Sequence, residues 1–206
     1  MKTNQVIRII IPVVLLLGAA TAFIVAVLGS QQANTTVDET QESNQVVTAL
    51  NAYLKIEGID GEATEANHDK WIDVLAFSHN VMIPYSASLG RTTGTQEHYP
   101  LRVTKMIDKA TPKLYEACVQ DQSIASVQLD CCTAFGEELK VFYKIELQNA
   151  KIISVQDYGV VSGDIPTETI SLNYEAIRWT YTEYDAAGQA KGNVQSPWIS
   201  AVETPT

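Results

Sequence analysis

Three histidines are the side chains of this sequence that best suit acid–base chemistry or metal binding, because imidazole titrates near neutral pH and ligates metals. His68 and His79 stand near Asp69 and Asp73 in the chain, and His98 follows them. A site for general acid–base catalysis would need such a histidine–carboxylate pair. We favour the other interpretation, in which these are solvated residues of loops and strand ends, and we assign no catalytic residue.

Metal and cofactor motifs give no stronger indication of chemistry. Asp60 and Glu62 flank Gly61 and resemble half of a calcium loop, but the ligand spacing that should follow is absent. The sequence contains no glycine-rich phosphate loop, no H-E-x-x-H and no G-x-S-x-G. We therefore predict a protein that uses no cofactor and no metal and is not an enzyme.

The three cysteines, Cys118, Cys131 and Cys132, fit no zinc-binding spacing. We favour buried free thiols in a β-protein. In an exported chain, Cys118 could instead pair with one of the two adjacent cysteines. The sequence leaves both alternatives open.

The net charge of −10, from 14 basic and 24 acidic residues, argues against nucleic acid as a partner. Binding to nucleic acid depends on cationic contacts to phosphate, and this chain has an excess of acids. The 46% apolar content is ordinary for a globular protein, so a sizeable core is expected.

The elements that would position these side chains are mostly strands. In both halves of Thr167–Tyr181 apolar residues alternate with polar ones, which is typical of strands with one buried face. The link Glu175-Ala176 between the halves predicts a tight hairpin. The predicted core consists of Trp71, Phe77, Leu172, Tyr174, Ile177, Trp179 and Tyr181.

Similar alternation predicts further strands along the chain, at Ala52–Ile59, Trp71–Met82, Tyr99–Ile107, Ser123–Thr133, Leu139–Leu147, Lys151–Val160 and Asn193–Ser200. A short α-helix should begin at Thr111 and Pro112, with the threonine as its cap, and end near Gln120. Pro84–His98 is rich in Ser, Thr and Gly and predicts a long exposed loop. The fold class expected is mainly β, a two-sheet sandwich or barrel with one short helix.

A membrane or export segment precedes this domain. Ile9–Gly29 carries no charge, follows the basic residues Lys2 and Arg8, and as a helix would span roughly 31 Å, close to the hydrocarbon thickness of a bilayer. The flanking charges predict that the rest of the chain crosses the membrane. Residues 1–29 are therefore either a signal peptide, cut after Ala22 or Gly29, or an uncleaved anchor. Polar residues 30–44 would form a flexible linker, and residues 45–206 the β domain.

Several stretches in register resemble the hemolysin-coregulated protein (Hcp) family, the tube proteins of type VI secretion systems. They are YLKIEGIDG at Tyr53–Gly61, WIDVLAFS at Trp71–Ser78, VTKMIDKATPKL at Val103–Leu114, PTETISLNYEAIRWTY at Pro166–Tyr181, and Gly192-Asn193-Val194 with Trp198. The resemblance covers nearly the whole domain. It differs in three places: family members usually have no such leader, they favour a glycine where this chain has Glu175-Ala176, and their loops are richer in glycine and serine than Val160–Asp164.

The resemblance implies a barrel-like sandwich without a catalytic site that assembles into hexameric rings, which stack into a hollow tube that carries effectors. It also implies that the Pro84–His98 loop reaches a neighbouring subunit or ring, with Pro84, Tyr85, Arg91 and His98 as candidate contact residues. The leader implies export, to the periplasm or beyond, or anchoring in the membrane through residues 9–29. The alternative hypothesis is a secreted or tethered binding module that does not polymerise.

Overall fold

The computed structural model describes residues 50–159, 163 and 165–201. All of them belong to the unit Gln45–Thr206, one of two units into which the chain divides. The predicted leader 1–29 and linker 30–44 lie outside the described residues. Within the described ranges, no helix is long and apolar enough to cross a membrane.

Strands dominate the described residues, as the alternating pattern predicted. One helix, α1 (Thr111–Val119), follows the eighth strand. The strands are β1 (Asn51–Ile56), β2 (Ile72–Val74), β3 (Ala76–Ser78), β4 (Val81–Met82), β5 (Tyr85–Ser86), β6 (Arg91–Thr92), β7 (Glu97–His98), β8 (Leu101–Met106), β9 (Ile124–Phe135), β10 (Glu138–Tyr158), β11 (Thr167–Asn173), β12 (Ala176–Tyr184), β13 (Ala190–Gln195) and β14 (Ile199–Ser200).

Two antiparallel sheets share β10. The N-terminal part of β10 lies between β9 and β12, and this first sheet continues through β1 to β2 on one side and to β13 and β14 on the other. The C-terminal part of β10 pairs with β11, and this second sheet continues through β8 to β3. Apolar residues of both sheets and of α1 form one main core. The predicted two-sheet sandwich with one short helix is confirmed.

A single strand, β10, replaces the two strands predicted at Leu139–Leu147 and Lys151–Val160. Asn149 has φ 48°, a left-handed conformation that asparagine tolerates better than most residues. The register against β11 shifts between Ile152 and Ser154. Such irregularities bend a strand and increase its twist, which lets one strand serve both sheets.

The predicted hairpin between β11 and β12 is wrong, because the two strands do not pair with each other. β11 pairs with β8 and β10, whereas β12 pairs with β10, β13 and β14. The link crosses from the second sheet to the first, and the Glu175 N–H donates to the Gln148 carbonyl at 3.1 Å. Neither Glu175 nor Ala176 has a positive φ. The residues that replace the expected glycine are therefore unstrained.

The core includes most of the aromatic and aliphatic residues predicted for it. Leu172, Tyr174 and Ile177 are buried, and Phe77 and Trp179 pack against the same core while partly exposed. Trp71 instead packs against a second, smaller cluster formed by Tyr53, Ala63 and Cys132.

Tyr181 was predicted as a core residue, and this prediction is wrong. It shares a face of β12 with Ile177, but the exposed fraction is 50% at Tyr181 and 0% at Ile177. Tyr181 lies beside Tyr143 of β10, and the fully buried residues of β10 begin only at Ile145. This end of β12 therefore lies at the margin of the core.

Thr111 begins α1 but does not cap it. The N-cap residue is Ala110, no side chain caps the helix, and Pro112 occupies the first turn. The Thr111 hydroxyl instead donates to Glu168 Oε1 of β11 at 2.6 Å. The helix start is thus tied to the second sheet through a side chain.

A buried ion cluster lies beside this helix start. Lys105 Nζ of β8 donates to Glu168 Oε1 at 2.5 Å and to Asp108 Oδ1 at 2.7 Å. The side chains of Lys105 and Glu168 are both fully buried. Charges without solvent are stable only when paired in this way.

All three cysteines are free thiols. Cys131 and Cys132 are buried in β9, whereas Cys118 is half-buried on α1. Burial raises the pKa of Cys131 to about 11 and that of Cys132 to about 12, with a further contribution from the carboxylate of Asp130. Both buried thiols therefore stay protonated and unreactive at neutral pH.

Candidate assembly surface

The histidines and carboxylates named from the sequence do not form one site. His68 contacts Glu65 and Asp130, whereas His79 contacts Tyr174. Asp69 and Asp73 are exposed. No group of three or more His, Cys, Asp or Glu side chains among residues 50–159, 163 and 165–201 is arranged to hold a metal ion.

His68 is the centre of a buried polar cluster between the β1–β2 connection and β9. Its Nδ1 contacts the Glu65 carboxylate and its Nε2 lies 3.2 Å from Asp130 Oδ2. The ring stacks on Tyr53 with centroids 4.4 Å apart and meets the edge of Trp71 at 4.7 Å. Both ring nitrogens lie within hydrogen-bond distance of carboxylate oxygens, and these contacts fix the orientation of the ring.

The pKa of the Glu65 carboxyl reflects this arrangement. Burial alone would raise its pKa, but the contacts with His68 and the hydrogen bond from the Asn67 N–H together outweigh that effect and lower it. The cluster fastens the β1–β2 connection to the first sheet and leaves no free reactive group, so its role is structural. Sequence reasoning missed Glu65 and Asp130. The available signal for Asp130 was its charge, within a strand whose other residues are apolar or uncharged and polar.

A hairpin arm, residues 80–99, replaces the predicted exposed loop. β4 pairs with β7 near the sandwich, and β5 pairs with β6 near the tip. Further backbone bonds join the two sides, from Tyr99 N–H to the Asn80 carbonyl at 3.0 Å and from Thr93 N–H to the Pro84 carbonyl at 2.7 Å. Two-residue strands are too short for alternation to reveal them, so the sequence predicted only a loop.

The arm exposes apolar side chains along most of its length. Their exposed fractions run from 39% at Val81 to 64% at Tyr85. The exposed set is Val81, Met82, Ile83, Tyr85, Leu89 and Tyr99. Contiguous exposed apolar residues of this kind mark contact surfaces in soluble proteins.

The four candidate contact residues on this arm differ in exposure. Tyr85 and Arg91 are exposed and Pro84 is partly buried. His98 lies at the base of the arm, where its Nδ1 is 3.2 Å from the Tyr174 hydroxyl. His98 is partly buried and its Nδ1 faces the sandwich, and its contact with a neighbouring subunit stays a prediction.

Tyr174 joins both sides of the arm to the sandwich. Its hydroxyl lies 2.6 Å from His79 Nε2 and 3.2 Å from His98 Nδ1. Burial raises the pKa of Tyr174 to about 12 and lowers the pKa of His79 and of His98. The neighbouring His98 lowers the pKa of His79 further. All three groups are therefore neutral at pH 7.

The family of this domain follows from its sequence. The family model described as "Type VI secretion system effector, Hcp" matches residues 53–181, from β1 into β12. The chain belongs to the Hcp family. Protein hcp1 of Pseudomonas aeruginosa is 30% identical over 146 residues, which cover 70% of this chain and 90% of that relative. The "Major exported protein" of the same organism is 27% identical over 135 residues, or 62% and 78% of the two chains.

Solved structures agree with this membership. A structure of a type six secretion system protein superposes with a TM-score of 0.66 at 33% identity and covers 71% of this chain and 92% of its own. A mutant of the Hcp1 protein from the E. coli EAEC 042 pathovar superposes with a TM-score of 0.62 at 26% identity, covering 75% and 99%. The protein is accordingly an Hcp tube protein of a type VI secretion system, as its sequence predicted.

Proposed function

We propose that residues 45–206 form homohexameric rings that stack into a hollow tube through which effectors travel. Membership of the Hcp family supports the tube role. The observation in this structure that carries the self-association is the row of exposed apolar side chains on the arm. Such a row is costly in water and is covered when the arm lies on a neighbouring subunit.

Sheet edges support the same proposal. β3 ends the second sheet, and β13 lies outermost next to β12 in the first. Unpaired strand edges invite uncontrolled pairing, and a closed ring covers them on every subunit in the same way. The net charge of −10 opposes close approach of copies, so assembly should strengthen as added salt screens that repulsion.

The test is the native mass of the full chain in mild detergent, together with negative-stain images of the same sample. The wild type is compared with a Tyr85→Ser, Leu89→Ser variant of the arm and with Val119→Ser, which replaces an exposed apolar residue on α1. Six-fold rings that are weakened by the arm variant and unchanged by the α1 variant would support the proposal. A wild type that stays monomeric at high concentration would contradict it.

Export is a separate part of the proposal. The relative named "Major exported protein" supports it, as does the uncharged run at residues 9–29. Determining the N-terminal residue of the mature protein distinguishes a cleaved signal peptide from an uncleaved anchor. A start just after Ala22 or Gly29 would indicate a cleaved signal peptide, whereas an intact chain that resists carbonate extraction would indicate an anchor.

A tethered binding module is the second candidate function, because the uncharged run at residues 9–29 is long enough to hold the chain at a membrane. It would be favoured by an intact anchor and a monomeric domain. Substitution of Tyr85 and Arg91 should then abolish capture of a partner and leave the mass of the protein unchanged.

A further inference from the structure

We propose that His79, Tyr174 and His98 form an acid-sensitive latch. At neutral pH the latch holds the base of the arm on the sandwich, and in mild acid protonation of the two histidines releases it. The effect of release on assembly rests on the proposed function, because it requires that the arm joins subunits. The latch itself does not depend on that function.

The latch lies at the base of the arm, where its contacts hold both sides of the hairpin on the sandwich. His79 precedes the first strand of the arm, and His98 belongs to β7, opposite Val81 of β4. The two histidines thus lie on the two sides of the hairpin at its base. Tyr174 is buried in the link between β11 and β12, so one hydroxyl of the sandwich is in contact with both sides of the arm.

The hydrogen bonds of the latch suit two neutral histidines. The Tyr174 hydroxyl has one proton to donate and can accept two hydrogen bonds. Its oxygen lies 2.6 Å from His79 Nε2, 3.2 Å from His98 Nδ1 and 3.5 Å from the Tyr99 carbonyl oxygen. When the hydroxyl donates to His79 Nε2, the nearest of these acceptors, His98 Nδ1–H can donate to the hydroxyl oxygen. His98 Nε2 is buried and has no hydrogen-bond partner, so a proton added there would be a buried, unsatisfied cationic donor.

The groups around the latch provide no hydrogen-bonded carboxylate to a protonated histidine in the described part of the chain. No carboxylate of residues 50–159, 163 and 165–201 is hydrogen-bonded to either histidine. Arg102 of β8 lines the same 270 Å³ cavity as His79, together with Ser78, Asn80, Tyr99 and Pro100. On the other faces, Trp179 lies 5.8 Å from His79 between ring centroids. The carboxylate of Glu97, the residue before His98, accepts a hydrogen bond from the Tyr99 hydroxyl at 3.2 Å.

His68 shows the opposite design within the same domain. Its two ring nitrogens each contact a carboxylate, Nδ1 that of Glu65 and Nε2 that of Asp130. The two histidines of the latch, His79 and His98, share one neutral hydroxyl. Their contacting nitrogens lie within about 6 Å of each other, because both contact the same oxygen. Two charges at this distance repel each other.

The pH window follows from the lowered pKa values of both histidines in the latched state. A released histidine titrates near its ordinary pKa of about 6.5. The latch therefore keeps its full strength above about pH 6.5 and weakens as the pH falls below that value. With two protons taken up on release, opening should increase about 10- to 100-fold between pH 7.5 and pH 5.5.

Hydrogen–deuterium exchange of the full chain, corrected for the intrinsic pH dependence of exchange, tests the latch. The expected result is 10- to 100-fold faster exchange of arm amides at pH 5.5 than at pH 7.5, with amides of β9 and β10 unchanged. A His79→Gln, His98→Asn variant places amide groups near the Tyr174 hydroxyl without titrating, and should lose this pH dependence. Tyr174→Phe should loosen the arm at both pH values.

An arm whose corrected exchange changes less than about twofold over this range would overturn the proposal. The amide variant would also overturn it if it kept the pH dependence of the wild type. Native mass at both pH values separates the latch from the proposed function. Arm release with loss of assembly supports both, whereas arm release with unchanged mass supports the latch and contradicts the role of the arm in assembly.

Discussion

Replacing Lys105 by methionine should destabilise the domain severely, although both residues are long and of similar volume. Lys105 and Glu168 are fully buried and 2.5 Å apart. Without the lysine, the Glu168 carboxylate keeps only the Thr111 hydroxyl among its described donors, and its Oε2 already has no partner. An uncompensated buried charge of this kind costs about 3–5 kcal/mol.

That loss is large compared with the total stability of a domain, which is about 5–15 kcal/mol. The melting temperature should fall by roughly 6–20 °C, since about 2–4 °C corresponds to 1 kcal/mol in a domain of this size. The loss in free energy of unfolding is measured by guanidinium titration, with unfolding followed by tryptophan fluorescence. Protein concentration must be equal for all variants, because self-association adds to apparent stability.

Two controls make the reasoning refutable. Lys105→Met combined with Glu168→Leu removes both charges and should recover most of the loss, since an apolar pair can replace a buried ion pair. Lys113→Met breaks the exposed pair with Glu116 and should cost less than about 1 kcal/mol. A loss below about 1 kcal/mol for Lys105→Met alone would show that Glu168 is not held as a buried anion.

Three further predictions concern packing and reactivity. Ile177→Ala should cost about 2–5 kcal/mol of unfolding free energy and Tyr181→Ala less than about 1, and similar losses would place Tyr181 in the core after all. Gly61→Ala should prevent folding, because its Cβ would lie 2.3 Å from a backbone oxygen, whereas Gly136→Ala should cost only about 1 kcal/mol for its positive φ. Iodoacetamide at pH 8 should label Cys118 before the two cysteines of β9, as read by mass spectrometry, and early labelling of β9 would contradict their raised pKa.

Alternation of apolar and polar residues was enough to predict most strands, because the repeat of a strand is local. Pairing partners are not local. The pattern at Thr167–Tyr181 predicted two strands and, except at Tyr181, their core-facing residues. The strands nevertheless pair with β8, β10 and β13 instead of with each other. Nothing in Glu175 or Ala176 distinguishes a hairpin turn from a crossing between sheets.

The candidate site was only partly predictable for a related reason. The position of the arm followed from the family resemblance, and Tyr85 and Arg91 are exposed on it. The orientation of His98 depends on Tyr174, which lies 76 residues away in the chain. A sequence gives the residue types at both positions but not the contact between them, so the contact of His98 with Tyr174 could not be predicted.

Thr111 illustrates the same limit at a helix end. A threonine before a proline is a normal helix start, and the helix does begin there. The hydroxyl nevertheless donates to Glu168 and accepts from the Asp108 N–H at 3.2 Å, because a buried carboxylate needs a donor from the protein, whereas the exposed N–H groups of a helix start can be satisfied by water. Local propensity predicted the boundary correctly and the role of the side chain wrongly.

The continuity of β10 has a consequence for how the domain comes apart. Since this strand contributes to both sheets, neither sheet can separate without breaking ladders along the same backbone. Partial opening is therefore confined to pieces outside β10, such as the arm, and the rest should unfold in one cooperative step. During synthesis, the first sheet cannot be completed before β12 has been made, nor the second before β11. Both follow β10 in the chain, so a stable sandwich forms only late in translation.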